Sequence, residues 1–125
     1  MKKDITKIIR SVRFGAKGLR HAFRTDKSFH MEVVYGLPAY LFVGMFLWPF
    51  AQWEFLLFVL SYALILIVEL VNTAFETMLE RVHPEDHELI GMSKDMGAGA
   101  VLLAFVFAIV VVVTLSFSRI APLFS

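Results

Sequence analysis

Apolar side chains at Ile5, Ile8, Ile9, Val12, Ala16, Leu19 and Phe23 recur every three or four positions and project within about 100° of one another, while Lys7, Arg10, Arg13, Lys17, Arg20 and Arg24 take the flank and far side. This pattern predicts an amphipathic helix over 4–27, lying at a membrane surface with its basic groups among the headgroups. Phe14 departs from it. On the charged side an aromatic ring has no lipid to bury in, so it is free to cover a planar ligand or a neighbouring chain. The stretch 33–53 then carries no charge and is long enough to cross a hydrocarbon core of about 30 Å. Pro38 inside it predicts a bend, and the aromatic run from Trp48 to Trp53 predicts an interfacial turn. A second helix is expected over 55–80, with its last turns emerging on the cytoplasmic side. A polar loop follows at 81–92, and a third uncharged span covers 97–117. The expected fold is an all-α membrane protein of one domain, 1–125, with a surface helix and three transmembrane helices.

Composition removes the soluble alternative. Of 125 residues 58% are hydrophobic and the mean hydropathy is +0.72, too apolar for an ordinary water-soluble domain of this size. There is no cysteine, which excludes disulfides, thiolate metal sites and thiol nucleophiles. Nine of the twelve Lys and Arg fall between positions 2 and 27, and seven of the eleven Asp and Glu between 69 and 95. Such a basic arm places the N-terminus in the cytoplasm, and three crossings bring the 81–92 loop to the same side. No cleavable leader is evident, so the N-terminus is expected to be retained. Ala100, Ala104 and Ala108 form a small-residue stripe suited to close helix packing, and three thin helices enclose little, so an oligomer is expected.

The candidate chemistry sits at the inner end of the second span, where Glu69, Asn72, Glu76 and Glu80 share one helix face. Ionisable groups at membrane depth are costly and are kept with a partner or a task. Glu69, the deepest, fits a general base, and Asn72 can donate to it and accept from a ligand hydroxyl. Glu76, nearer water, fits Mg²⁺, which takes one or two protein carboxylates and completes its shell with water and phosphate. Glu80 reads equally well as a solvated helix-end charge. Lys94 and Asp95 stand before the third span; the lysine serves either headgroups or a nucleotide phosphate. His83 and His87 make a weak zinc pair, because Pro84 interrupts any helix between them. Neither a GxxxxGK[ST] loop nor HRD and DFG signatures are present. A deep base, metal-ligating carboxylates and cations beside lipid headgroups are the parts of phosphoryl transfer to a membrane-borne hydroxyl.

The run Glu69-Leu-Val-Asn72-Thr-Ala-Phe-Glu76, followed by His87-Glu-Leu-Ile-Gly-Met-Ser-Lys94-Asp95-Met-Gly97-Ala-Gly-Ala, resembles the signature of the small integral-membrane diacylglycerol kinases of bacteria. Lys17-Gly18-Leu19-Arg20 and Glu32 sit at matching distances, so the resemblance covers nearly the whole chain. It implies an inner-membrane homotrimer that transfers the γ-phosphate of MgATP to diacylglycerol, giving phosphatidic acid, with sites shared between subunits at the cytoplasmic face. It makes Glu69 the base, positioned with Asn72, and has Glu76 and Asp26 hold the metal. Nucleotide contacts would come from Lys7, Phe14, Asp26, Glu76, Glu85, Asp86, His87, Lys94 and Asp95, and lipid contacts from Lys7, Glu69 and Ala98. Three positions depart from the usual pattern: Asp26 stands for Glu, Lys7 for Arg and Phe14 for Tyr. No nucleic-acid partner is implied. Undecaprenol kinases share the acidic stripe and form the near alternative. A proton-coupled transporter is the more distant one, and it leaves Asn72, Glu76, Lys94 and the basic arm without roles.

Overall fold

Asp26 separates the basic N-terminal segment from the first apolar one. In the computed structural model, which describes residues 1–83, 85 and 87–125, helix α1 runs over Lys2–Thr25 and stops where Asp26 turns extended (φ −97°, ψ 113°). The Asp26 carboxylate accepts from the backbone N–H groups of Ser28 (3.2 Å) and Phe29 (3.4 Å), and so caps helix α2, Lys27–Met31. A short acidic side chain suits this position because it reaches the otherwise unpaired N–H groups of the first turn. The chain continues through a π turn, Glu32–Gly36, into α3, Leu37–Leu47. Pro38 lies at the start of α3. The irregularity expected of it falls in the turn just before, where the Leu37 N–H reaches back to the Glu32 carbonyl.

The first apolar helix therefore covers Lys27–Leu47 rather than 33–53. It begins once Asp26 has capped it. It ends because Trp48, preceding proline, is pushed from the helical region to ψ 142°. Helix α4, Gln52–Val82, contains the expected 55–80 span and is 31 residues long. At 1.5 Å per residue that is about 46 Å, well beyond a hydrocarbon core of about 30 Å. Helix α5, Glu88–Ile120, begins nine residues before the expected 97 and leads into a closing 3₁₀ turn, Ala121–Phe124. His87 Nδ1 accepts from the Leu89 N–H (3.1 Å) and caps α5 at that point. Gly91 weakens the helix without stopping it. Lys94 and Asp95 thus lie on α5, not ahead of it. Three helices are long and apolar enough to cross a membrane, and no strand occurs among the described residues.

Helices α4 and α5 run antiparallel in a register that can be followed residue by residue. Lys94 meets Glu80, Gly97 meets Asn72, Ala104 and Ala108 are buried with Tyr62 and Ile65, and Val111 and Leu115 pack with Phe58 and Leu47. Of the small-residue stripe, Ala104 and Ala108 are buried while Ala100 is exposed. Tyr40 stacks on Phe58 with ring centroids 4.2 Å apart and donates to the Phe58 carbonyl (3.0 Å), beside the fully buried Ser61. At the opposite end from Lys94, Arg119 ties all three long helices. It donates to the Leu47 carbonyl (2.9 Å) and the Pro49 carbonyl (2.9 Å), and it pairs with Glu54, whose other oxygen accepts from the Ala51 N–H (3.0 Å) at the start of α4.

Candidate functional site

Four carboxylates gather where α1, α2 and α4 meet. Glu69 is only 6% exposed, and no hydrogen-bond donor among the described residues reaches it. It lies within electrostatic reach of Asp26 and Glu76, and Glu32 within reach of both Glu69 and Asp26. The Thr73 hydroxyl, one turn beyond Glu69, donates to Asp26 Oδ2 at 2.6 Å. That bond fastens the end of α1 to α4 and brings the N-terminal segment to the stripe. Among the described residues neither Glu32 Oε2 nor Asn72 Oδ1, both buried, has a hydrogen-bond partner. Buried acceptors beside mutually repelling charges cost free energy until a cation, a proton or a hydroxyl arrives.

Sequence reasoning placed Glu69, Asn72, Glu76 and Asp26 in this site, and the structure brings Asp26 and Glu76 each within electrostatic reach of Glu69. It gave no role to Glu32 or Thr73. The signal for Glu32 was its position, the last charge before an uncharged run; Thr73 sits four residues after Glu69 and so shares its face. The capping role of Asp26 was also missed. Among the described residues no three His, Asp or Glu side chains converge to hold an ion unaided. Asp26 Oδ1 accepts only the Ser28 N–H, so a lone pair remains, and Glu76 is half-buried. These donors fit an ion that brings phosphates and waters as its other ligands.

Asn72 faces α5 at Gly97. A Cβ at Gly97 would collide with Asn72 Oδ1, so a side chain there would push the Asn72 amide aside. From Asn72 the polar line continues along α4 to Glu76 and Glu80, and Lys94 Nζ stands 3.9 Å from Glu80. A cleft of about 290 Å³ follows, lined by Glu80, His83, Glu85, His87 and Lys94 among others. The His83 and His87 rings are 5.6 Å apart, and Glu85 lies 3.8 Å from His83. Asp95 and Ala98 are exposed on α5. Asp86 lies outside the described residues. Glu69 to His83 spans about 21 Å of helix, so the polar line runs from membrane depth to the tip of α4.

Lys7 and Phe14 do not join this line within one chain. Both are exposed on α1, and the Arg10 guanidinium covers Phe14 at 5.5 Å from the ring centroid. Lys7 lies about 27 Å along the helix axis from the end of α1, too far for its side chain to approach Glu69.

Comparison with known proteins agrees with the arrangement at the level of the family. The family model described as prokaryotic diacylglycerol kinase matches residues 13–116. The diacylglycerol kinase of Escherichia coli strain K12 is 36% identical over 106 residues, covering 84% of each chain. That of Haemophilus influenzae is 32% identical over 103 residues, covering 80% of this chain and 83% of its own. That of Pseudomonas aeruginosa is 33% identical over 100 residues, covering 80% of each. A match from the basic arm to the end of the third apolar helix includes every element that builds the acidic centre, and the chain belongs to the prokaryotic diacylglycerol kinase family.

Proposed function

We propose that the protein is an inner-membrane lipid kinase that transfers the γ-phosphate of MgATP to the hydroxyl of diacylglycerol, giving phosphatidic acid and ADP at the cytoplasmic face. The observation that carries this reading is Glu69, a buried carboxylate without a donor among the described residues, at the membrane end of a polar line that leads to Lys94 and His87. Glu69 takes the proton of the lipid hydroxyl as its oxygen attacks the γ-phosphorus in line; the new O–P bond forms while the bond to the bridging oxygen of ADP breaks. Asn72 Oδ1, buried and without a partner, is available to hold the incoming hydroxyl in place. Glu76 and Asp26 hold Mg²⁺, which when bound neutralises phosphate charge. Lys94 and Asp95 position the phosphates, and Glu85, Asp86 and His87 hold the base and sugar. Catalysis is mainly positioning and charge neutralisation.

The basic helix α1 lies on the membrane surface, its apolar face down. Its residues Lys7 and Phe14 serve the nucleotide, and Lys7 with Ala98 the lipid, in a site completed by a neighbouring subunit of a homotrimer. The distance of Lys7 from Glu69 within one chain supports sharing. Diacylglycerol is preferred over undecaprenol because the curated relatives carry the name diacylglycerol kinase. The test is purified protein in mixed micelles with labelled ATP and the two lipids in competition. Phosphatidic acid is the expected product. Faster labelling of undecaprenol would overturn the acceptor, and labelling of neither would overturn the kinase reading.

A further inference from the structure

The π turn that carries Glu32 is held from outside its own helix. Its carbonyl accepts the Leu37 N–H and also the hydroxyl of Tyr62, at 2.6 Å, from the middle of α4. Tyr62 is buried, and it reaches this carbonyl because position 36 is glycine: a Cβ there would collide with the Tyr62 oxygen, whereas the ring carbon Cζ would stand at 3.5 Å, in ordinary contact. Gly36 and Tyr62 are therefore a matched pair. The side chain they govern has reason to move away. Glu32 Oε2 is buried without a partner and faces the charges of Glu69 and Asp26. Left to itself, a five-residue helix followed by a π turn would relieve that repulsion by rotating or unwinding.

We propose that Tyr62 is a positioning residue of the acidic centre: its hydroxyl, seated against Gly36, pins the π turn and so keeps the Glu32 carboxylate beside Glu69. Glu32 thereby stands beside the carboxylate to which the proposed reading gives the lipid proton. The inference rests on the lipid-kinase reading and deepens it. Tyr62 touches neither the reacting atoms nor the nucleotide, so its loss acts on the turnover step and on lipid binding, and spares ATP binding.

The experiment compares Tyr62→Phe, Gly36→Ala and the double variant with the unaltered protein. Kinetics with diacylglycerol and MgATP in mixed micelles are read together with melting temperature and with hydrogen exchange over 32–37. Tyr62→Phe is expected to lower kcat about fivefold to tenfold, leave the KM for ATP within twofold, keep the melting temperature and speed exchange at the Leu37 amide. Gly36→Ala is expected to be worse. Adding Tyr62→Phe to it restores activity to the level of Tyr62→Phe alone, because the atom with which the new methyl collides has gone. Unchanged kcat in Tyr62→Phe, a loss confined to the KM for ATP, or a loss that tracks a lower melting temperature would each overturn the proposal while leaving the kinase reading intact. If the unaltered protein does not phosphorylate diacylglycerol, the exchange measurement still decides. Unaltered protection over 32–37 in Tyr62→Phe overturns the pinning whatever the substrate.

Discussion

Two residues of the acidic centre carry roles that substitution can separate. Glu69 is buried among like charges, so Glu69→Gln removes repulsion from Asp26 and Glu76 while preserving shape. A residue kept for catalysis at the expense of the fold should show that trade. Lipid phosphorylation is expected to fall about 10²–10⁴-fold, as for loss of a general base, with a melting temperature that stays level or rises. Activity retained with Glu69→Gln would remove the base assignment. Asp26 combines a cap with a candidate metal ligand, and two variants divide them. Asn keeps one of the two side-chain oxygens that cap α2, and its amide can still bond the Thr73 hydroxyl, whereas Ala loses the cap, at a cost of about 1 kcal/mol, and the bond to Thr73 as well. Asp26→Asn should therefore melt closer to the unaltered protein than Asp26→Ala does, yet need several-fold more Mg²⁺ for half-maximal activity, while Asp26→Ala should show both defects in full. An unchanged Mg²⁺ titration in Asp26→Asn would leave Asp26 as a cap alone.

At the scale of helices, the register between α4 and α5 is fixed at two ends. Near the acidic centre Gly97 lets the helices close on Asn72, and Gly97→Ala forces a methyl into that contact. The methyl meets only the tip of the Asn72 side chain, so it displaces the amide at little cost to packing. The expected result is a loss of turnover larger than the loss of stability, read as kcat against melting temperature; equal losses would make Gly97 a packing residue only. At the opposite end Arg119 holds the Leu47 and Pro49 carbonyls and the Glu54 carboxylate. Arg119→Ala should lower the melting temperature more than the double variant Arg119→Met and Glu54→Gln, since the single change strands a carboxylate. Both ends bear on what was legible beforehand. The three apolar helices follow from uninterrupted hydrophobic runs, and the side chains on the Glu69 face follow from helical spacing. Their ends do not, because single capping contacts set them: Asp26 on Ser28 and Phe29, and His87 on Leu89. Nor does the role of Arg119 follow from spacing, its partners lying 65 to 72 positions away in the chain.

At the scale of the whole molecule, the proposed reading assigns the acidic centre and the basic arm to one reaction, yet they stand apart within one chain. Thr73 fastens the end of α1 to the centre, so α1 leads away from it, and Lys7 is left about 27 Å from that end. Helix α1 is continuous over Lys2–Thr25, without a proline or an internal break that could fold it back. On the proposed reading the Lys7 that serves one Glu69 must come from another chain, and this makes a prediction about mixtures. Lys7→Ala, assayed at ATP below KM, and Glu69→Gln are each expected to be poorly active when prepared alone. Co-expressed and purified together, the two chains generate sites in which an intact Glu69 from one meets an intact Lys7 from the other. Activity should then rise well above the sum of the separate preparations, and the rise should vanish when both substitutions sit in the same chain. Strictly additive activity in the mixed preparation would mean that each chain builds its own site, with the basic arm acting on the membrane alone.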